Sequence, residues 1–501
     1  MKKWSVWTIL VLSIPLLQNP GNAQTLHASL RGQVVDTSRA RCPNASVRAV
    51  NEETGETRSA MTGADGTFTL FPLPPGLYRI EAELAGFRKF VGKGIRTQVG
   101  QEARINIELT PGGPADQILV TVDQGLIRQG TMDRASVVDN RQILDLPLDG
   151  RNFLELSLLQ PGTAAAAQGS PGSIRGEFTV HANGAREDSN NFILDGVFNN
   201  DPKLNTFAIN PPADAIREFE ILTSTYDASF GRSAGAQVNV ALKSGTNGFH
   251  GTAYEFFRNA ALDERNYFAN PSDPAPRYQR NQYGFSLGGP VSRNRTFFFV
   301  DYEGRRMNEG ITKVTNVPTA LERKGDFSQS LSHPIDPYTR APFPDAQISA
   351  GRISATGRAI ANLYPLPNRN TPGQNYVSSP VLRDRDDRFD VRLDHRVSAK
   401  SSLVTRYSFS DRDYYEPFSG PSFARIPGYG ANVPRRAQNV MVGEDHTFRT
   451  SLINQVRLAF NRVSSGSLQE TRDGSVNMSV GLPELSSNPR DYGLSFITVS
   501  G

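Results

Sequence analysis

The chain is 501 residues long, 38% hydrophobic and 9% aromatic, with 54 Lys and Arg against 50 Asp and Glu for a formal net charge of +4. That apolar content is enough for several folded cores and excludes an intrinsically disordered chain. The near balance of charge gives no indication of the clustered basic excess that nucleic-acid binding needs. Its 44 glycines and 33 prolines fit many short strands joined by turns.

The chain opens on an export signal. Lys2 and Lys3 form a basic start, residues 6–17 a short apolar run, and Gly21 and Ala23 place small residues before a cut after residue 23. The run is too short to span a bilayer, so residues 1–23 are expected to be removed. The one cysteine, Cys42, has no intrachain partner and no zinc spacing.

Residues 28–110 are predicted to form a β-sandwich. The segments 31–35, 45–51, 67–70, 76–84 and 103–109 have strand length and β-branched or aromatic content, with turn residues between them. Tyr78, Ile80 and Ala82 alternate with Arg79 and Glu81, as in a strand with one buried face. The runs GQVVD and DGTFTLFPLPPGLYRIEAELAGFRKF resemble the carboxypeptidase regulatory-like domain, a transthyretin-like sandwich without peptidase chemistry. Relatives of that sandwich include starch-binding-like domains, so the resemblance raises carbohydrate as one ligand class.

A linker, 111–124, follows and starts with Pro111, Gly112, Gly113 and Pro114. Within it Ile118, Leu119, Val120, Thr121 and Val122 are β-prone. An extended segment of this kind can add as a strand to a partner's sheet edge. The segment resembles the TonB box of TonB-dependent receptors; the alternative is the first strand of the next domain. Residues 125–245 are expected to be a globular plug, with helical turns at 139–146 and 153–159, a small-residue loop at 164–172, and strands at 177–182, 191–195, 219–223 and 237–243 in one mixed sheet. Asp195-Gly196 marks a turn.

From 246 to 501 the pattern becomes wide amphipathic strands. In RFDVRLDHRV, Phe389, Val391, Leu393 and Val397 share one face, and Arg388, Asp390, Arg392, Asp394 and Arg396 the other. Further strands are expected at 249–257, 281–287, 296–303, 402–410, 439–448 and 452–461. In a soluble sandwich the charged face is outside; in a membrane barrel it is the lumen. Periodicity does not choose between these. On the barrel reading Arg392 faces water.

Four blocks agree in order: LPLDGRNFLELSLLQPG at 146–162, FILDG at 192–196, the Gly-rich junction running into QVNVALKSGTN at 237–247, and GGPVSRNRTFFFVDYEG at 288–304. Together they resemble the Oar-like TonB-dependent outer-membrane receptors. The resemblance implies a mainly β protein: a periplasmic sandwich, an α/β plug in which Asp195 and Gly196 play a structural part, and a transmembrane β-barrel in the outer membrane of a Gram-negative bacterium. It further implies the TonB complex and outer-membrane lipid as partners, and an extracellular ligand, unidentified, moved across the outer membrane. Barrels of this family have about 22 strands, whereas 246–501 offers roughly eight or nine spans of about 9 to 11 residues. The expectation is a piece of a longer barrel.

Catalytic patterns are missing from the sequence: it contains no G-x-S-x-G, no H-E-x-x-H and no P-loop. The six histidines, at 27, 181, 250, 333, 395 and 446, form no close pair. The acidic run at Asp384, Asp386, Asp387 and Asp390 is interleaved with arginines and lacks a calcium loop. No enzyme activity, cofactor, metal or nucleic-acid partner is expected. The rival reading is a secreted adhesin or carbohydrate-binding sandwich protein.

Overall fold

The computed structural model describes residues 27–113, 117–121, 135–167, 178–224, 226, 230–231, 233–264, 277–419, 425–449, 452–472, 474–488 and 491–495. The expected export signal, 1–23, lies outside them.

The sandwich holds β1 (Ala28–Asp36), β2 (Ser46–Asn51), β3 (Thr57–Met61), β4 (Thr67–Leu73), β5 (Gly76–Glu83), β6 (Lys89–Thr97), β7 (Glu102–Leu109) and β8 (Gln117–Thr121). They form two sheets, ordered β4-β1-β7 and β3-β2-β5-β6-β8. Between them lie Leu30, Val34, Leu70, Tyr78, Ile80, Ile107 and Leu109, all buried. Each large apolar side chain so covered is worth about 1.5 to 3 kcal/mol. Gly32 lets β1 and β7 meet: a Cβ there would stand 1.8 Å from the Ile105 carbonyl oxygen. All five expected strands are present. The two not anticipated, β3 (TRSAM) and β6 (KFVGKGIRT), have alternations broken by polar residues or glycines. Cys42 is buried in this core.

In the globular domain that follows, which takes the name plug from the expectation above, β9 (Ala135–Asp139) leads into α1 (Asn140–Asp145). Asp139 caps that helix, its side chain accepting from Gln142 N while the Gln142 side chain accepts from Asp139 N. Then come β10 (Thr163–Ala165), β11 (Val180–Ala182), β12 (Asn191–Leu194), β13 (Val197–Phe198), β14 (Ile216–Leu222) and β15 (Gln237–Leu242). One mixed sheet runs β13-β12-β15-β14-β9, with β12 parallel to β15. The expected strand at 177–182 is not part of it. Instead β11 pairs with β10, at the start of the expected small-residue loop, in a separate ribbon. Phe153, Phe192, Phe207 and Phe219 centre the core; the Phe192 and Phe207 rings lie 4.0 Å apart.

The remaining strands are β16 (His250–Asn259), β17 (Tyr278–Ser292), β18 (Thr296–Gly310), β19 (Lys313–Thr315), β20 (Tyr376–Ser378), β21 (Val381–Ser398), β22 (Ser401–Glu416), β23 (Ala431–Arg449), β24 (Leu452–Ser465) and β25 (Leu468–Gln469). Seven long ones form an antiparallel wall, β16-β17-β18-β21-β22-β23-β24, with β25 on β23. Among the described residues there are thus seven long strands, against the eight or nine spans expected. The long strands have 10 to 19 residues and so project past the roughly 9 to 11 that a bilayer needs. Among the described residues the wall has two unpaired edges, β16 and β24. Tight turns at 293–295 and 399–400 mark one end of it, and long connections at 260–277, 311–380 and 417–430 the other. The longest connection carries α2 (Ala355–Leu363), capped by Ser354, and is closed at its base by the antiparallel pair β19-β20. No described helix is long and apolar enough to cross a membrane.

Candidate functional site

Asp195 and Gly196 join β12 to β13 with both backbones left-handed, φ +49° and +79°. Two successive positive φ angles define a type I′ hairpin turn, and Asp-Gly is among the few pairs that take it without strain. The Asp195 carboxylate sits between β15 of the plug and the wall. One oxygen accepts from Leu242 N at 3.0 Å and from Arg392 Nη1 at 3.2 Å; the other accepts from Arg406 Nη1 at 3.0 Å. Arg392 also donates to the Leu242 carbonyl at 3.1 Å and pairs with Asp394 at 2.9 Å. The Arg406 side chain is 0% exposed and also bonds Asn439, whose amide reaches the Phe198 carbonyl at 3.4 Å. The expectation that Arg392 faces water is therefore corrected: its inward face meets the plug.

The same pattern repeats around the plug. Arg388 donates to the Asn210 carbonyl at 2.9 Å, Arg435 to the Phe207 carbonyl at 2.8 Å, and Asn461 to the Asn200 carbonyl at 3.1 Å. Thr252 donates to Asp214 at 3.0 Å, Gln282 to the Gly150 carbonyl at 3.2 Å, and Arg151 pairs with Asp214 beneath the Tyr254 ring. Phe299 of β18 enters the plug's core. All seven long strands thus touch one globular domain, which requires the wall to bend around it. Of the acidic run, Asp384 binds Arg305 at 2.9 Å and Arg412 at 2.8 Å on the inner face, whereas Asp387 pairs on the outer face with Arg306 at 2.7 Å and Arg385 at 2.9 Å.

The outer face of the wall is apolar. Val391 and Leu393 are 43% and 41% exposed, and Leu287, Val440, Val442, Val456, Leu458 and Phe460 lie on the same side. A protein in water rarely leaves so broad an apolar band uncovered, whereas a membrane-spanning barrel requires one. This counts against the soluble-sandwich reading.

At the tight-turn end the wall and plug meet the sandwich. Arg58 donates to the Ala399 carbonyl at 3.1 Å, Asn247 N to the Glu53 carbonyl at 2.9 Å, and Arg217 pairs with Glu53 at 2.9 Å. His27 faces Asp445 at 3.2 Å, and burial lowers its pKa. Val99 N donates to the carboxylate of Glu218 in β14. Burial pushes Glu218 up to about 7 against the pull of that N–H and of Arg217. Beside this contact lies a cavity of about 840 Å³ that includes Lys243, Arg96 and Arg141 in its lining.

The residues singled out at 118–122 lie apart from the Asp195 clamp. Ile118, Leu119, Val120 and Thr121 belong to β8, which pairs in parallel with β6, Phe90 opposite Ile118 and Val91 opposite Leu119. Val122 falls outside the described residues. The segment joins the sandwich's sheet, not the plug's, whose own edge strand is β9. The sandwich sheet therefore reaches beyond the expected boundary at 110.

Amphipathic strands with an apolar outside, packed by their inner face on a folded domain, define the class: an outer-membrane β-barrel protein. The chain belongs to the outer membrane beta barrel domain family, whose model matches residues 241–501, and residues 29–110 match the carboxypeptidase regulatory-like domain. It is similar to the TonB-dependent transporter Oar of Myxococcus xanthus, 24% identical over 289 residues that cover 55% of this chain and 26% of that protein. Among solved structures it is similar to the outer membrane transporter YddB of Escherichia coli, with TM-score 0.44, 10% identity, and coverage of 68% of this chain and 40% of that one. It is also similar to the ferric enterobactin receptor PfeA of Pseudomonas aeruginosa, with TM-score 0.42, 12% identity, and coverage of 70% and 43%. The chain thus spans about a quarter of the curated relative's length and under half of these solved structures.

Proposed function

We propose that the protein serves as a TonB-dependent outer-membrane transporter, with residues 118–122 as the segment that TonB engages. The observation that carries this reading is a folded plug seated against the inner face of the wall and clamped there through Asp195, with a β-prone segment on its N-terminal side. A ligand enters from the long-loop end, and the plug must shift to let it pass. The sandwich, on the tight-turn end, lies in the periplasm, because barrels of this kind turn tightly on that side. The chain itself carries out no chemical reaction.

The test is the full protein in detergent with the C-terminal domain of TonB. Val120→Pro removes a backbone donor and restricts the chain, so binding should be lost while the folded core persists by circular dichroism. Equal binding by the two forms would refute the assignment of 118–122.

A further inference from the structure

Among the described residues the sandwich sheet ends at β8, and nothing described guards that last strand. Natural sheets protect their edges with charged residues, proline, bulges or a covering element. The opposite edge of this sheet, β3, carries Arg58. By contrast β8 reads Gln-Ile-Leu-Val-Thr, with no charge and no proline, and pairs with β6 in unbroken register. Among the described residues no strand lies on its other side. One row of its backbone groups is thus committed to β6, and among the described residues the other row meets no strand.

We infer that β8 is presented to its partner while still docked on β6, so that the partner's edge strand adds as the sixth strand of the sandwich sheet. This rests on the reading of residues 118–122 as the TonB-engaging segment and assigns the sandwich a role in it. A free five-residue segment must be ordered when it is bound, whereas a segment already held as a strand has lost that freedom beforehand. The sandwich is then a platform that pre-organises the docking strand. Backbone pairing supplies the attraction, as in other strand additions, and a TonB edge strand is the occupant. A second copy of this chain, pairing β8 to β8, is the competing occupant.

A disulfide across β6 and β8 separates presentation from release. In a Cys42→Ser background, Val91→Cys and Leu119→Cys sit at directly opposed positions and should oxidise. Failure of the pair to oxidise would count against the docked strand. With the full protein, the oxidised form should bind the TonB C-terminal domain at least as tightly as the reduced form. If the segment must instead leave the sandwich, a lock holding 99% of molecules docked weakens binding about 100-fold, and reduction restores it; that result overturns the proposal. Concentration-dependent dimers abolished by Val120→Pro would overturn it in favour of the second copy. If Val120→Pro leaves TonB binding unchanged in both redox states, the failure lies in the reading of 118–122 itself.

Discussion

The plug is held by two junctions built on opposite principles. Against the wall its charges are buried and matched, Asp195 between Arg392 and Arg406 being the centre. Against the sandwich the buried group is Glu218, whose described hydrogen bond is to a backbone N–H, while the charged pair Arg217 with Glu53 is partly open to solvent. A matched buried pair contributes little net stability but is expensive to break, because removing one partner strands the other. A lone buried carboxyl can instead relax by taking up a proton. The wall junction should therefore respond to mutation, and the sandwich junction to pH.

The largest effect should come from Asp195→Asn. Asparagine tolerates the left-handed backbone, so the turn is kept, but Arg406 loses a counter-charge in a site closed to water. A loss of about 3 to 5 kcal/mol is expected in urea unfolding of the protein in detergent. A loss below about 1 kcal/mol would show that the clamp does not hold the plug.

Next in size is the lipid face. In a chain whose barrel is complete, Leu393→Arg should cost on the order of 2 to 4 kcal/mol near the bilayer midplane and impair membrane assembly. Single cysteines in a Cys42→Ser background sharpen the point. Positions 391 and 393 should react with a lipid-soluble maleimide and resist a water-soluble one, whereas position 392, against the plug, should resist both. Labelling of 392 by the water-soluble reagent would contradict the packed inner face.

The sandwich junction should soften as pH rises. The folded pKa of Glu218 is raised, from 4.5 to about 7, so its stabilising contribution is fully present below pH 4.5 and is lost as pH climbs through about 7. The whole shift corresponds to roughly 3 kcal/mol. Melting temperatures measured from pH 5 to 8 should fall, and Glu218→Gln should flatten the slope; an unchanged slope in that variant would place the titrating group elsewhere. The smallest effect belongs to Arg141 and Asp145, an exposed i, i+4 pair on α1. Arg141→Ala should change stability by less than about 0.5 kcal/mol, which calibrates the other three.

What could be read in advance follows from how local each signal is. The wall strands were legible because alternation runs unbroken through Val391 and Leu393, and the Asp195-Gly196 turn because its dipeptide carries its own conformational preference. β6 was not, since Gly92 and Gly94 interrupt its pattern, and what holds it is pairing with β5. Arg392 could be assigned to the inner face but not to the clamp. Alternation tells which side a residue faces, not whether water or a folded domain fills that side. Its partner, 197 positions earlier, is fixed only by the seating of the plug.

Position 195 has an alphabet of one letter. The hairpin admits glycine, asparagine and aspartate; the two guanidinium groups admit a carboxylate, aspartate or glutamate. Only aspartate satisfies both lists, so a single side chain there answers to two unrelated demands. A second-site change at Arg392 or Arg406 could relax one of them and leave the other intact.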